Sequence, residues 1–197
     1  MSQFTNKIIW ITGATSGIGE ALAYALSEKG VKLVLSARRV EELERVKSNC
    51  KGEALVLPLD LSKIEEFESL TQKVIAHYGR IDYLINNGGI SQRSEAFETP
   101  LEIDRKIMEV NYFGNIALTK AVLPQMQKQK SGTIVPISSL SGKFGFFLRS
   151  TYSASKFALV GFYESLRLEE EKNNIKVSIV FPGFIKTAIS KNALSKD

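Results

Sequence analysis

Short apolar runs alternate with helical patterns along nearly the whole 197-residue chain. The runs are apolar at successive positions, so each predicts a strand that is buried on both faces. Strands of this kind, each followed by a helix, favour a parallel sheet covered by helices on both sides. Because crossovers between parallel strands are right-handed, we predict an α/β fold with a doubly wound parallel sheet. The predicted strands cover residues 7–12, 31–36, 54–59, 81–85, 133–138 and 175–181.

Helical spacing and capping residues predict five helices between these strands. Two prolines give local expectations: Pro124 should kink the long fourth helix, and Pro136 should cause a bulge in the fifth strand. No internal repeat, low-complexity tract or linker divides the chain, so residues 1–197 are predicted to form one domain. The predicted helices cover residues 18–26, 40–47, 62–78, 101–130 and 152–172.

Residues 12–19 read TGATSGIG and form a glycine-rich turn between the first predicted strand and the first predicted helix. Gly13, Gly17 and Gly19 are spaced GxxxGxG, which differs from the dinucleotide-binding pattern GxGxxG but meets similar physical demands. Glycine allows a sharp turn, close approach of a phosphate and tight packing of helix on sheet. A tight turn without a ligand would also use glycines, yet the free N–H groups near Ile18 favour a pyrophosphate.

The second predicted strand ends in Ser36, Ala37, Arg38 and Arg39. A site that prefers NAD(H) usually has an acidic residue here, which accepts hydrogen bonds from the ribose 2′-hydroxyl. An arginine instead binds a 2′-phosphate through charge-assisted hydrogen bonds, so the sequence predicts NADP(H) in preference to NAD(H). Arg38 is the first candidate and Arg39 the second; the alternative is that both are solvated charges of the next helix.

Tyr152 and Lys156 are four residues apart in a predicted helix, so their side chains share one face. A neighbouring cation favours the phenolate, and we therefore expect Lys156 to lower the pKa of Tyr152. Ser139 lies thirteen residues upstream of the tyrosine. A YxxxK match alone is weak, because an exposed tyrosine and lysine commonly share a helix face.

Taken together, these motifs resemble the short-chain dehydrogenase/reductase family, in the form with a TGxxxGxG turn and a YxxxK active site. The resemblance covers essentially the whole chain and implies a Rossmann-type fold. It is closest to a subgroup of animal dehydrogenase/reductases, through GGISQRS at 88–94 and NYFGN at 111–115. The motifs that occur in the family's order are TGATSGIG at 12–19, Asp60, NNGG at 86–89, Asn111, Ser139, YSASK at 152–156 and PGFIKT at 182–187.

The resemblance implies a catalytic role for four residues. Tyr152 would be the general acid in reduction and the base in oxidation, and Ser139 would donate a hydrogen bond to the substrate oxygen. Lys156 would lower the pKa of Tyr152 and bind the nicotinamide ribose, while Asn111 would help to position Lys156 through a water-linked proton relay. Hydride transfer builds negative charge on the carbonyl oxygen, so donors at that oxygen stabilise the transition state most.

The resemblance also implies which residues hold the cofactor. Asp60 and Leu61 would contact the adenine, 86–88 would line the cofactor and brace the sheet, and Ile185 and Thr187 would hold the carboxamide. Gly88 stands where the family commonly has alanine, a change that we expect to be harmless. The full predicted set is Gly13, Thr15, Ser16, Gly17, Ile18, Gly19, Arg38, Arg39, Asp60, Leu61, Asn87, Gly88, Tyr152, Lys156, Pro182, Gly183, Ile185 and Thr187.

The predicted function is an NADP(H)-dependent oxidoreductase that interconverts a carbonyl and an alcohol. Phe144, Phe146, Phe147 and Leu148 lie between the predicted serine and tyrosine, so they favour a hydrophobic small-molecule substrate. Packing against a lid or a partner subunit is the alternative use of these side chains. The related animal subgroup includes many membrane-anchored enzymes that act on steroid-like or retinoid-like carbonyls. A non-catalytic dinucleotide-binding sensor and a sugar-nucleotide epimerase or dehydratase are the competing functions.

Composition limits the remaining possibilities. The formal net charge is +5, with 26 Lys and Arg scattered among 21 Asp and Glu, which argues against nucleic-acid binding. One cysteine, Cys50, allows no intramolecular disulfide, and we expect no metal site. With no signal pattern at 1–5 and no membrane anchor in the sequence, we expect a soluble cytoplasmic protein.

Two expectations concern assembly and chain length. Family members commonly dimerise through the helix that starts near Leu101 and the one after Tyr152, so we expect a homodimer or a higher homo-oligomer. The chain is expected to contain six strands and to lack the C-terminal lid and seventh strand that the family usually has.

Overall fold

Six parallel strands form one sheet in the computed structural model, which describes residues 4–187, 189 and 192–194. The strand order is β3-β2-β1-β4-β5-β6, with every neighbouring pair parallel, as the doubly wound prediction requires. The strands are β1 (Ile8–Thr12), β2 (Lys32–Ser36), β3 (Ala54–Val56), β4 (Tyr83–Asn86), β5 (Gly132–Pro136) and β6 (Ile175–Val177).

Helices connect the strands and cover both faces of the sheet. Short 3₁₀ turns at Ile64–Glu66, Leu140–Gly142 and Glu171–Asn173 complete the connections. The α-helices are α1 (Gly17–Ser27), α2 (Val40–Ser48), α3 (Phe67–Tyr78), α4 (Leu101–Met108), α5 (Gly114–Gln129) and α6 (Ser150–Glu169).

The central strand β1 contributes to two separate hydrophobic cores. Ile8 and Trp10 lie in the core beneath α3, α5 and α6, whereas Ile9 and Ile11 lie in the core beneath α1 and α2. Successive side chains of a strand point to opposite faces, so an unbroken apolar run serves both layers. The indole N–H of Trp10 donates to the Ser36 hydroxyl at 2.8 Å, which satisfies its polar atom inside the core.

The long fourth helix is interrupted at a place that differs from the predicted one. A π-helical turn at Glu109–Phe113 separates α4 from α5, and Pro124 lies inside the uninterrupted helix α5. A π turn accommodates one extra residue, and hydrophobic periodicity does not reveal a single extra residue. The extra residue belongs to the turn that carries Asn111.

Pro136 interrupts a ladder without causing the predicted bulge. Pro136 pairs in register with Asn86 of β4, and its carbonyl accepts a hydrogen bond of 3.0 Å from the N–H of Val180. Proline has no N–H to donate, so the continuous pairing with β6 ends at Val177. It resumes only as an isolated bridge between Ile137 and Val180.

The strand order creates a cleft between β1 and β4, at the carboxyl edge of the sheet. From this point the chain builds β2 and β3 on one side and β5 and β6 on the other, and such a switch point is where doubly wound sheets bind ligands. Among the described residues, no helix combines the length and the apolar character that a membrane crossing needs. The single-domain prediction over 1–197 includes 1–3, 188, 190, 191 and 195–197, which lie outside the described residues.

Candidate active site

The turn after β1 has the shape of a phosphate cradle. Gly13 and Gly17 have φ angles of 64° and 58°, in the left-handed region that favours glycine. A Cβ on Gly19 would lie 2.3 Å from the carbonyl oxygen of Gly13, so the turn closes onto helix α1 only with glycine there. No side chain caps the start of α1 at Ser16, which leaves its first N–H groups available to an anion.

Thr12 and Asn87 join this turn to the loop that follows β4. The Thr12 hydroxyl oxygen accepts hydrogen bonds from the N–H groups of Asn87 and Gly88 at 3.0 and 2.9 Å. In return, the Asn87 amide donates to the carbonyls of Thr12 and Gly13 at 3.0 and 3.2 Å. These four contacts fix the two loops against each other on either side of the cleft.

A cavity of about 940 Å³ opens at this edge of the sheet and brings the predicted residues together. Of the predicted catalytic residues, Ser139, Tyr152 and Lys156 line it. Asn111 and Gly19 lie outside the lining and support it from behind. The predicted cofactor residues in the lining are Gly13, Thr15, Ser16, Gly17, Ile18, Arg38, Arg39, Asp60, Leu61, Asn87, Gly88, Tyr152, Lys156, Pro182, Gly183, Ile185 and Thr187.

Arg38 and Arg39 lie just beyond β2, at the end of the cavity that is farther from β4. Both side chains are exposed, and arginine ion pairs among the described residues are formed by Arg45 and Arg80 instead. Burial alone would raise the pKa of Asp60, but hydrogen bonds from Ser62 and the positive charge of Arg38 hold the pKa below its usual range. This end therefore offers two cations and one ionised carboxylate.

Ser139 and Tyr152 lie close to each other in the lining of the cavity. The Ser139 hydroxyl oxygen accepts a hydrogen bond of 3.1 Å from the N–H of Ser141, and the hydroxyl keeps a proton that it can donate. Burial raises the pKa of Tyr152, although the Ser139 hydroxyl and the charge of Arg149 act in the opposite direction. The phenol is therefore protonated near neutral pH.

Lys156 does not lower the pKa of Tyr152 in the way that its spacing predicts. Its Nζ lies 5.7 Å from the centre of the Tyr152 ring and donates to the carbonyl of Ile137 at 2.9 Å. The side chain is only 4% exposed, and this burial lowers the pKa of Lys156 to about 8. The expected effect on Tyr152 is wrong for this geometry, because burial of the phenol outweighs the influence of nearby cations.

Asn111 connects the π-helical turn to the loop after β4 and to α6. Its carbonyl oxygen accepts from the N–H of Ile90 at 2.8 Å, and its amide donates to the carbonyl of Ile90 at 2.9 Å. The same amide donates to the Ser155 hydroxyl at 3.1 Å, and Ser155 in turn donates to the carbonyl of Tyr152. Asn111 is fully buried, so in this structure it braces helix α6 from behind.

Sequence reasoning missed Gln92 and Arg149, which both contact the start of helix α6. Gln92 is fully buried, and its side chain bonds to the hydroxyl of Ser150 and the N–H of Tyr152. Arg149 lines the cavity three residues before Tyr152 and donates to Ser91 and Gln92. The segment GGISQRS contains Gln92 in the printed sequence, but its partners lie about sixty residues away and become visible only in the fold.

Aromatic side chains surround the mouth of the cavity beside Tyr152. Phe146, Phe147 and Leu148 line it, as predicted for this segment, whereas Phe144 packs behind Phe146 with ring centres 5.1 Å apart. Phe184, which no prediction included, also lines the cavity and meets Phe146 edge to face at 5.9 Å. Phe147 and Phe184 are 85% and 94% exposed, so this wall can contact an apolar ligand.

A family sequence model described as short chain dehydrogenase matches residues 7–197. The chain is 50% identical to a dehydrogenase/reductase SDR family protein 7-like of Anopheles gambiae, covering 98% of this chain and 63% of that protein. It is 48% identical to the human dehydrogenase/reductase SDR family member 7, with 98% and 59% covered. The chain thus spans about three fifths of the length of the curated relatives that it matches.

Solved structures share the same architecture. A short-chain dehydrogenase from Streptomyces avermitilis superimposes with a TM-score of 0.89 at 36% identity, covering 98% of this chain and 71% of that one. A short-chain dehydrogenase/reductase from Burkholderia phymatum, solved in complex with NAD, gives 0.91 at 26% identity, with 98% and 70% covered. These similarities confirm the predicted α/β fold.

Proposed function

Because the chain belongs to the short-chain dehydrogenase family, we propose that it is an NADP(H)-dependent oxidoreductase that interconverts a carbonyl and an alcohol. The observation that carries this proposal is the convergence of Ser139, Tyr152 and Lys156 on the cavity that also contains the glycine turn 12–19. A proton-handling group and a phosphate cradle in one cavity suit hydride transfer to or from a dinucleotide.

The chain's own residues account for binding, orientation and proton transfer. A bound nicotinamide would supply or accept the hydride, held through the glycine turn, Lys156 and the segment 182–187. Ser139 would donate a hydrogen bond to the substrate oxygen, where negative charge develops. Tyr152 is protonated near neutral pH, so it can deliver a proton to that oxygen during carbonyl reduction.

Two finer parts of the proposal rest on the ends of the cavity. Arg38 and Arg39 support a preference for NADP(H), since they place positive charge beyond β2 where a 2′-phosphate would lie. The aromatic wall of Phe146, Phe147 and Phe184 supports a hydrophobic substrate. Both parts concern a chain that spans about three fifths of its curated relatives.

Oxidation of NADPH in the presence of a panel of ketones, aldehydes, steroids and quinones tests the activity. Tyr152→Phe should reduce turnover by roughly 10² to 10⁴-fold, the usual contribution of a positioned proton donor, while the Kd for NADPH stays within about threefold. Tyr83→Phe, a matched change outside the cavity lining, should turn over like the unaltered protein. Turnover that survives in Tyr152→Phe would refute the assigned role.

The same panel, with a sugar nucleotide added, distinguishes the competing functions. A dinucleotide-binding sensor would bind NADPH tightly and oxidise it with no member of the panel. An epimerase or dehydratase would convert a sugar nucleotide with no net consumption of NADPH. Neither outcome is compatible with the proposed oxidoreductase.

Assembly and location form a further part of the proposal. Phe113 and Phe157, on the π turn and on α6, are 46% and 47% exposed, which supports a homodimer through these helices. Light scattering should give twice the monomer mass, and a monomer would contradict it. A cytoplasmic location is supported by the unpaired Cys50, and cell fractionation tests it.

A further inference from the structure

Arg149 places a half-buried positive charge on the cavity wall beside the proposed proton donor. It immediately precedes helix α6, three residues before Tyr152, and lines the cavity. Its Nη1 donates to the Ser91 hydroxyl and, at 2.6 Å, to the carbonyl of Gln92. These two contacts orient the guanidinium, and its remaining N–H groups have no hydrogen-bond partner among the described residues.

The charge of Arg149 has no counter-charge in the described part of the chain. Arginine ion pairs there are formed by Arg45 and Arg80, and Glu109, an acidic residue of the same cavity, pairs with neither Arg149 nor Arg93. Burial lowers the pKa of Arg149, the neighbouring Tyr152 raises it, and the positive charge of Arg93 lowers it. A partly buried cation next to a second cation is unfavourable unless an anion joins them.

This pair of arginines is separate from the predicted cofactor-phosphate contacts. Arg149 and Arg93 come from the connections after β5 and β4, on the half of the cavity that carries Tyr152. The glycine turn 12–19 and Arg38 come from the connections after β1 and β2, on the other half. An anion between Arg149 and Arg93 would therefore belong to the substrate.

We propose that Arg149 and Arg93 form a subsite for an anionic oxygen group, such as a carboxylate, that the substrate carries in addition to its carbonyl or alcohol. This inference rests on the proposed oxidoreductase function and names its substrate class. Guanidinium groups bind carboxylate oxygens through paired, charge-assisted hydrogen bonds. With Phe146 and Phe147 available for an apolar body, the substrate is an amphipathic oxo acid or hydroxy acid.

Paired probes that differ only in charge test this subsite. We expect the full chain, with saturating NADPH, to reduce 4-acetylbenzoate with a kcat/KM roughly 10- to 100-fold higher than that for methyl 4-acetylbenzoate, as a charge-assisted contact provides. Arg149→Met should bring the ratio of acid to ester close to one, and Arg93→Met should lower it about tenfold. Arg149→Lys, which keeps the charge but not the planar fork, should retain part of the ratio.

The acid-to-ester ratio of kcat/KM compares two substrates of the same variant. A general loss of turnover caused by disturbing Ser91 or Gln92 therefore leaves this ratio unchanged. Arg105→Met removes an exposed arginine of α4 outside the cavity lining and should keep the ratio of the unaltered protein. If Arg149 acted only on the pKa of Tyr152, acid and ester would lose turnover equally. An unchanged ratio in both arginine variants, or a ratio near one in the unaltered protein, overturns the subsite.

Calorimetric titration separates this inference from the activity itself. The complex with NADPH should bind 4-acetylbenzoate more tightly than its methyl ester, and Arg149→Met should abolish the difference. If no carbonyl compound is reduced but the acid still binds preferentially, the oxidoreductase proposal fails and the anion subsite stands. If the ester is reduced and binds as well as the acid, the subsite fails and the oxidoreductase proposal stands.

Discussion

The side-chain carbonyl of Gln92 accepts a hydrogen bond of 3.1 Å from the backbone N–H of Tyr152. The amide of the same side chain donates to the Ser150 hydroxyl at 3.2 Å. The first N–H groups of a helix have no partner within it, so Gln92 satisfies one that would otherwise be buried and unpaired. The loop after β4 thereby fixes where the helix of the proposed proton donor begins.

Replacing Gln92 with leucine should therefore disturb both folding and turnover. We expect the free energy of unfolding to fall by about 1–3 kcal/mol, the cost of a buried unsatisfied donor. Turnover should fall on the order of 10- to 100-fold because Tyr152 loses its fixed position, while the Kd for NADPH changes by less than about threefold. Urea unfolding and steady-state kinetics measure these effects. Gln72→Leu, on an exposed position of α3, is the control, and unaltered turnover in Gln92→Leu would show that the contact is dispensable.

Arg38→Leu should alter cofactor choice without altering the fold. Losing a charge-assisted contact to a 2′-phosphate should raise the Kd for NADPH roughly 10- to 100-fold and leave the Kd for NADH within about threefold. Arg39→Leu should have the same direction and a smaller effect. Fluorescence titration with both nucleotides measures the four constants. Equal changes for NADPH and NADH would mean that the arginine does not contact the phosphate.

Gly19→Ala tests the close packing beneath the turn. An added Cβ would lie 2.3 Å from the Gly13 carbonyl oxygen and 2.6 Å from the Asn87 amide, so the turn must move away from α1. We expect a loss of about 1–3 kcal/mol in the free energy of unfolding and at least a roughly tenfold weaker affinity for NADPH. Gly161→Ala is the control, since its Cβ would meet open space on α6 and should stabilise that helix by about 1 kcal/mol. Equal stability of the two variants would exclude the tight contact.

Lys156 should make the stability of the protein depend on alkaline pH. Its pKa is about 8 in the fold and 10.5 ordinarily, so from about pH 8 upward the folded chain releases this proton while the unfolded chain retains it. The cost of burying the charge is full below pH 8 and declines as the pH rises. The stability of the unaltered protein relative to Lys156→Met should thus increase by about 2 kcal/mol between pH 7.5 and 9.5.

Urea unfolding at several pH values within that range measures the Lys156 effect. The range ends below the pH at which an ordinary tyrosine ionises, because the raised pKa of Tyr152 opposes the trend above about pH 10. Lys120→Met, an exposed lysine of α5, should follow the pH dependence of the unaltered protein. A constant difference between the unaltered protein and Lys156→Met would contradict the buried cation.

The sequence predicts the layers of this fold well because its apolar runs must satisfy two cores. The run ending at Thr12 supplies Trp10 to one core and Ile11 to the other, so its continuous apolar character already implies helices on both faces. Interruptions are harder to predict. Pro124 is tolerated inside α5, while the real break depends on one extra residue at Glu109–Phe113, which periodicity does not detect.

Some features of the site depend on residues within one segment, and others depend on contacts between segments that are far apart in the sequence. The glycines of the turn and the YxxxK spacing act within one segment, so their pattern is readable before the fold is known. The contacts of Gln92 join residues about sixty positions apart. The pKa of Tyr152 depends on burial, which the four-residue spacing to Lys156 does not express, and the predicted direction was therefore wrong.

The π-helical turn at Glu109–Phe113 depends on the number of residues between α4 and α5, and not only on which residues they are. Deleting one residue there would let α4 and α5 join as a regular helix, and local stability would gain from it. Because the turn already absorbs the extra residue, the same deletion would leave α4 and α5 near their present orientations, but it would change the turn itself and withdraw Asn111 from Ile90. A relative that lacks one residue at this turn would thus have a regular helix here, but it would lose the Asn111 contacts that support α6.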